Sequence, residues 1–419
     1  MNSTDPIGQD YVRLALRIDR HVEGYVDSYY GPVAWKAEIE AEPLRPVAAL
    51  LEHVARLQDR VAQAEMDAQR RDFLTRQLTA MVTVLKRLSG EELSLAQEVR
   101  GCFDITPQRV PEAQFDATLR ELDALLPGTG DLAERQVAWK RQFELQRERV
   151  LPVLEVALAE VRRRTLSILP MPDGESVSLK LVSDQPWVGY NWYLGSSRSR
   201  IEINTDLPVR ADDAVAFMAH EAYPGHHTEH ALKDERWYRQ AQRLEHSVLL
   251  LMAPECTISE GLAMLAEELI FPDRSELAGW LREVLYPMAG IQADADLQMH
   301  LATTAEALDR VSGNAAFLLH EDQRPQDQVL QYIRRYSLCT EKEARQILRF
   351  IGNPTFRAYT FNYSHGRRLL KQAAARSGLL HVFRWAVTEP VTPSAVAARF
   401  GLASGEGTPL PISSAEGQE

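Results

Sequence analysis

Residues 220–227 read HEAYPGHH and directly follow the apolar segment AVAFMA at residues 214–219. A buried His followed by a Glu is typical of zinc hydrolases, in which one imidazole binds the metal and the carboxylate takes a proton from the attacking water. The usual signature places its second His four residues after the first. Here that position is Pro224, and the next histidines are His226 and His227.

A regular helix with this spacing cannot form a metal site. His227 shares a face with His220 but lies about 10 Å further along the axis, whereas zinc binds each nitrogen at about 2 Å. Pro-Gly is a strong helix break. A bulge that absorbs two residues brings His226 to the position of the second ligand, and one that absorbs three brings His227 there. We favour His226. His230 is predicted to lie on the surface.

A catalytic zinc site needs a third protein ligand and keeps its fourth position open. We predict that this ligand is Glu260, which follows an apolar stretch and precedes Gly261, a residue that permits close approach of another backbone. Glu255 and Glu267 are the rival carboxylates. Glu267 is also two helical turns from Glu260 and is predicted to orient a ligand histidine without touching the metal.

Composition limits the possible partners of the chain. It has 419 residues and a formal net charge of −12, so phosphate backbones and anionic lipid surfaces repel it, and we expect neither nucleic acid nor membrane as a partner. No secretory signal and no apolar run of membrane-spanning length is visible. The three widely spaced cysteines, Cys102, Cys256 and Cys339, argue against a disulfide framework and favour a reducing, cytoplasmic location.

Hydrophobic periodicity predicts a mainly α fold with one small β-sheet. Residues 8–165 form successive helical patterns, with a kink or break predicted at Pro152. SVSLKLVSD (176–184), YNWYLGSSRSR (190–200) and IEINTD (201–206) predict two or three short strands beside the His-containing helix. We predict a helical lobe at 1–170, a metal-site region at 171–400 and a disordered tail at 401–419, with the two lobes also able to form one continuous domain.

Three segments resemble a bacterial family catalogued as domain of unknown function 885. They are HEAYPGHH, ISEGLAMLAEEL (258–269) and NPTFRAYTFNYSHGRRLL (353–370), and the resemblance extends over residues 185–372. That family is similar to zinc metallopeptidases of the thimet oligopeptidase and Taq carboxypeptidase kind. The resemblance implies a bilobal helical metallopeptidase-like fold with a small antiparallel sheet beside the active-site helix.

The resemblance also implies roles for individual residues. His220, His226 and Glu260 would bind the metal, and Glu221 would be the general base. A late Tyr-x-x-Gly pattern corresponds to residues 363–366, so Tyr363 would stabilise the oxyanion. Tyr359 and His365 compete with Tyr363 for that role. Asp296 and His300 match a further D-x-x-x-H pattern of the family.

These observations predict a zinc-dependent metallopeptidase, of carboxypeptidase or oligopeptidase type, acting on short peptides. One zinc ion per chain is expected, although mixed imidazole and carboxylate ligands also accept cobalt or manganese. An edge strand beside the helix could hold an extended peptide. Five arginines are candidates for binding a peptide carboxylate, namely Arg198, Arg200, Arg357, Arg367 and Arg368. Two alternatives stay open: a non-catalytic metal-binding or interaction protein with a decayed site, and a hydrolase of non-peptide amides or esters.

Overall fold

The computed structural model describes residues 5–185 and 187–402, so most of the predicted tail, from 403 onward, lies outside the described residues. Helices dominate the first part of the chain: α1 (Pro6–Asp19), α2 (Val33–Ala41), α3 (Val47–Gln63), α4 (Ala68–Leu88), α5 (Leu95–Phe103), α6 (Glu112–Leu125), α7 (Leu132–Arg141) and α8 (Arg147–Ile168). Three helices carry the candidate metal ligands: α9 (Ala214–Glu221), α10 (His226–Lys233) and α11 (Pro254–Ile270).

The remaining helices are α12 (Arg274–Trp280), α13 (Tyr286–Ala289), α14 (Ala295–Ala305), α15 (Val311–His320), α16 (Gln326–Ser337), α17 (Glu341–Gly352), α18 (Phe361–Ser377), α19 (Leu379–Thr388) and α20 (Pro393–Arg399). Short π-helical turns at Asp234–Gln240 and Leu281–Leu285 continue α10 and α12. Within the described residues, no helix combines the length and the apolar character needed to cross a bilayer.

Two small sheets accompany the helices. β1 (Val26–Tyr29) pairs antiparallel with β5 (Val248–Leu250). The second sheet has the strand order β2 (Ser176–Val182), β4 (Arg198–Asn204), β3 (Gly189–Tyr193), with β3 antiparallel and β2 parallel to β4. The prediction of a mainly helical fold with a small sheet beside the His-containing helix is confirmed. β4 is the central strand of this sheet, and β2 and β3 are its two edge strands. Of these two, β3 lies nearer the candidate site.

Buried apolar residues hold the site helices in place. One cluster packs α1, α4 and α5 against β5 and α15, through residues such as Leu74 and Met252. Another packs α8 and β4 against α9, through residues such as Leu154 and Met218. The first cluster joins segments from both sides of residue 170, and the division of the chain into two lobes stays a prediction. Cys102 and Cys339 are buried, Cys256 is half-buried, and all three are free thiols.

The helix break predicted at Pro152 is wrong. Pro152 lies inside α8, and the interruption falls at residues 142–146 instead. There the Phe143 side chain is fully buried, the Leu145 N–H donates to the Val209 carbonyl, and the Ala211 N–H donates to the Phe143 carbonyl. Backbone pairing with a distant segment therefore ends α7, while α8 tolerates the proline in its second turn.

Helices α11 and α18 form an extensive contact in which two glycines face each other. A Cβ atom at Gly261 would lie 2.5 Å from the Gly366 carbonyl carbon, and one at Gly366 would lie 2.8 Å from the Gly261 Cα and collide with the Thr257 carbonyl oxygen. Neither position has room for a side chain, so the two helix backbones meet directly. This contact brings Glu260 on α11 beside Tyr363 on α18.

We predict that Gly366→Ala lowers the free energy of unfolding by about 1–3 kcal/mol, since the added methyl group forces the helices apart. Gly279→Ala on α12 is the matched control, because a Cβ there meets only Arg282 Nη2, at 3.9 Å, and alanine is the better helix former by about 0.5–1 kcal/mol. Thermal and denaturant unfolding of both variants tests the contact. Equal stability of the two variants would mean that the helices do not depend on it.

Candidate metal centre

The segment between α9 and α10 brings two histidines together. α9 ends at Glu221, α10 begins at His226, and the Gly225 N–H donates back to the Ala219 carbonyl at 2.9 Å. The Tyr223–Pro224 peptide bond is cis. A Cβ at Gly225 would collide with the His220 carbonyl, so this crossing over the helix end requires glycine. As a result the His220 and His226 rings lie 4.8 Å apart, edge to face.

Glu260 completes a three-residue cluster. Its Oε2 atom lies 3.4 Å from His220 Nε2 and 3.8 Å from His226 Nε2, and the ligand atoms of all three residues lie within 4.8 Å of one another. The other oxygen, Oε1, accepts a hydrogen bond from the Tyr359 hydroxyl at 2.7 Å. Burial favours the neutral acid, but the nearby His220 and His226 imidazoles hold the pKa of Glu260 below its usual value.

The cluster fits a divalent metal ion. Two ligands of a tetrahedral zinc ion lie about 3.4 Å apart, given bonds of about 2.0–2.1 Å, and the two measured separations are close to that value. Glu260 Oε2 is buried and has no hydrogen-bond partner among the described residues, a costly state that a cation would relieve. Two imidazole nitrogens and one carboxylate oxygen are ligands that zinc accepts, with a fourth position left for water or substrate.

His227 points away from the cluster. Its Nδ1 atom bonds Ser199 Oγ at 2.8 Å, its Nε2 atom bonds Glu175 Oε2 at 3.2 Å, and its side chain is fully buried. Burial lowers the pKa of this imidazole. His227 therefore joins α10 to β4 and to the start of β2. The geometry agrees with a break that absorbs two residues, and His226 rather than His227 faces His220.

Ser259 orients His226, a role that the sequence analysis assigned to Glu267. His226 Nδ1 lies 3.0 Å from Ser259 Oγ, which leaves Nε2 free for a metal. Glu267 forms an ion pair with Arg274 instead, because two turns of α11 place it about 10 Å along the helix axis from Glu260. Ser259 directly precedes Glu260 in the sequence. That position could have predicted a residue close to the site, because neighbours of a ligand in the chain lie near it in space.

Glu221 lies beside the cluster on the side of β3. Its side chain is buried, and burial raises the pKa of its carboxyl group. Asn191 on β3 donates to the Glu221 backbone carbonyl at 2.6 Å. A Cβ at Gly189 would lie 3.4 Å from Glu221 Oε1, so this strand approaches the carboxylate closely. Asp27 on β1 accepts a hydrogen bond from Tyr190 on β3 and also faces the cavity.

Tyr363 faces the cavity beside the cluster, and its ring stacks on the His220 ring at 6.4 Å. The Tyr359 hydroxyl, by contrast, already donates its hydrogen bond to Glu260. The interpretation of His365 as an oxyanion donor is wrong, because its Nδ1 bonds the Phe361 carbonyl at 3.0 Å within α18 and its side chain does not line the cavity.

Several other predicted residues lie away from the cavity. Asp296 and His300 are exposed on α14, and Asp296 pairs with Arg282. None of the five candidate arginines lines the cavity in the part of the chain that the structure describes; Arg357 pairs with Glu98 and Arg367 with Glu306. Arg200 pairs with Glu202, and Arg198 is exposed.

The cavity extends past the candidate metal centre to two residues whose positions in the fold differ from the predicted ones. His230, predicted on the surface, lines it, as does Glu255, a rival ligand that faces a different part of it. The side chains around the centre also include aromatic groups. The lining comprises, among others, Asp27, Trp187, Tyr190, His220, Glu221, His226, Glu229, His230, Lys233, His246, Glu255, Glu260, Phe350, Phe356, Tyr359 and Tyr363.

Among known proteins, this chain is similar in fold to a solved structure but matches no sequence family. No family model matches the sequence, and no curated protein matches it. A solved structure described as a "putative lipoprotein from Colwellia psychrerythraea" is similar, with a TM-score of 0.54 and 18% sequence identity over 84% of this chain. The chain spans 65% of the length of that protein. A second, a "putative lipoprotein of unknown function from Shewanella oneidensis", has 10% identity over 94% of this chain and 82% of the other, with a TM-score of 0.49.

We predict that the purified protein binds one zinc ion, and that His220→Ala and His226→Ala each abolish binding because each removes a converging nitrogen. His227→Ala is the matched control. It removes a neighbouring imidazole that bonds Ser199 and Glu175, so it lowers stability but keeps the metal. Elemental mass spectrometry of the three folded variants measures this. Loss of zinc from His227→Ala with retention in His226→Ala would reverse the assignment.

Proposed function

We propose that this chain is a zinc-dependent hydrolase that cleaves amide bonds in short peptides. The observation that carries the proposal is the convergence of His220, His226 and Glu260 beside the carboxylate of Glu221, at the wall of a cavity. A bound zinc ion supplies a Lewis acid that polarises the scissile carbonyl and makes the attacking water more acidic. The protein residues around it have separate tasks in the same reaction.

Glu221 serves as the general base. It follows His220 in sequence, so the helix turns its carboxylate by about 100° from the imidazole, toward β3 and the cavity. There it accepts the proton from the attacking water and then delivers it to the leaving amine. The burial that raises the pKa of Glu221 also makes its carboxylate a stronger base, and this suits proton transfer near neutral pH.

Tyr363 serves as the donor to the developing oxyanion. Its hydroxyl has no other assigned partner among the described residues, and the ring stacks on His220 beside the reacting position. Burial raises the pKa of Tyr363 well above its usual value, so the phenol stays protonated and can donate. Tyr359 has a positioning role, since its hydrogen bond holds Glu260 in place.

Short peptides are the substrate class that the cavity favours. Trp187, Phe350 and Phe356 offer apolar surface for side chains, and β3 presents an edge strand on which an extended peptide can form backbone hydrogen bonds. The centre lies within the fold, so a folded protein chain does not reach it. The cytoplasmic location inferred from the sequence stays a prediction, since the likeness to the putative lipoprotein from Colwellia psychrerythraea extends to the fold alone.

We predict that Glu221→Gln retains zinc but lowers kcat by about 10²–10⁴-fold, because an amide cannot accept the proton. Glu267→Gln is the matched control and keeps full activity, since Glu267 pairs with Arg274 outside the cavity. Mass spectrometry of a mixture of defined tetrapeptides measures turnover, and elemental analysis measures the metal. Normal turnover by the Glu221→Gln protein would exclude the mechanism.

A second pair of variants separates the two tyrosines. Tyr363→Phe is expected to lower kcat by about 10²–10³-fold with little change in KM or zinc affinity, since it removes a donor that acts on the transition state. Tyr359→Phe is expected to weaken zinc affinity by about 10–100-fold, since it frees a ligand carboxylate. Zinc affinity is measured by competition with a chelator. If Tyr359→Phe lost kcat and Tyr363→Phe lost zinc, the roles would be exchanged.

A further inference from the structure

The cavity continues beyond the metal centre to a second group of polar side chains, which we call the inner end. It consists of Glu229, His230, Lys233, His246 and Glu255. On α10, residues 226, 229, 230 and 233 are spaced so that they share one helix face. The inner end therefore begins one turn, or about 5 Å, along α10 from the ligand His226.

Negative charge exceeds positive charge at the inner end. The positive charge belongs to Lys233, whose ammonium group is buried and already paired with Glu229 Oε1 at 2.6 Å. Glu255 adds a second carboxyl group. Burial lowers the pKa of His246 well below its usual value, so this imidazole is neutral. Within the described lining, no arginine offsets these acids.

A carboxylate oxygen at the inner end can accept a further hydrogen bond. Glu229 is 2% exposed, and the Ser259 hydroxyl lies near its carboxylate. No donor among the described residues is in hydrogen-bonding geometry with its Oε2 atom. An unsatisfied buried carboxylate oxygen is costly. Burial also raises the pKa of Glu255 to about 7, with the nearby Lys233 opposing that shift. A cationic donor arriving between the two acids would satisfy Glu229 and stabilise the charged form of Glu255.

We infer that the inner end binds the ammonium group of the substrate, between Glu229 and Glu255. The inference rests on the proposed function for its assumption that the ligand is a peptide. An extended peptide spans about 3.3–3.6 Å per residue, so an ammonium one helical turn from His226 presents the first or second peptide bond to the metal centre. The ammonium belongs to the amino terminus or to a lysine side chain, which share this chemistry.

The test is calorimetric binding to zinc-loaded Glu221→Gln protein. The probes are leucyl-alanyl-alanine, its N-acetyl form, its carboxyl-terminal amide, and Nα-acetyl-lysyl-alanyl-alanine. We expect the free-amino peptide and its amide to bind on the order of 10-fold or more tightly than the N-acetyl peptide, in line with a charged hydrogen bond to a buried group. Tight binding of the acetylated lysyl peptide would assign the site to a lysine side chain instead of the amino terminus.

Variants locate the site. Adding Glu229→Gln or Glu255→Gln to the Glu221→Gln protein is expected to remove the preference for the ammonium, whereas adding Glu267→Gln is expected to preserve it. Both carboxylates are replaced in separate variants, and thermal unfolding shows whether each variant is folded. A folding defect in one variant then leaves the other to test the site. Equal affinity for leucyl-alanyl-alanine and its N-acetyl form, with no tighter binding of the acetylated lysyl peptide, would overturn the inference, and so would no binding of any probe. Weaker binding of the amide would overturn it as well, because Lys233 would then be binding a carboxylate.

Turnover by the wild type separates this inference from the proposed function. Cleavage of peptides with equal efficiency whether or not they are acetylated would leave the hydrolase and remove the ammonium site. Preferential binding of free amines without cleavage of any peptide would leave the ammonium site and remove the hydrolase.

Discussion

The crossing of Gly225 over the end of α9 is the constraint on which the candidate centre depends. The backbone there passes so close to the His220 carbonyl that no side chain fits, and only this closeness brings His226 back to the ring of His220. A looser connection between α9 and α10 would separate the two imidazoles by the length of the intervening chain. The irregular spacing of HEAYPGHH is therefore the consequence of a tight turn rather than a disturbed helix.

A second close approach supports the first. Gly261 and Gly366 place the backbones of α11 and α18 in contact, which sets Glu260 and its partner Tyr359 against the histidines. The glycine after Glu260 and the glycine of the late Tyr-x-x-Gly segment are adjacent in space although they are about a hundred residues apart in the chain. Their proximity gives a packing reason for both glycines that is independent of any role in catalysis.

Local pattern was sufficient to predict much of this architecture. Apolar periodicity predicted the helices, and alternation predicted the strands. The Pro-Gly break allowed either His226 or His227 to face His220, and His226, the favoured one, does so. The predictions that were wrong concern which partner a side chain or a backbone segment finds in the fold. Pro152 was expected to break a helix that instead ends where Phe143 pairs with another segment, and Glu267 was expected at the centre but pairs with Arg274. Such choices depend on which side chains the fold brings near, and a single sequence contains no periodicity that reports them.

The hydrogen bond between Tyr190 and Asp27 links β3 to β1 across the cavity. The candidate ligands come from one stretch of chain, from His220 to Glu260, whereas the cavity walls come from segments as far apart as Asp27 and Phe350. This division separates two kinds of evolutionary change. Substitutions in the wall segments can alter what the cavity admits while the ligand stretch is preserved, so relatives with the same ligand residues can differ in the molecules they select.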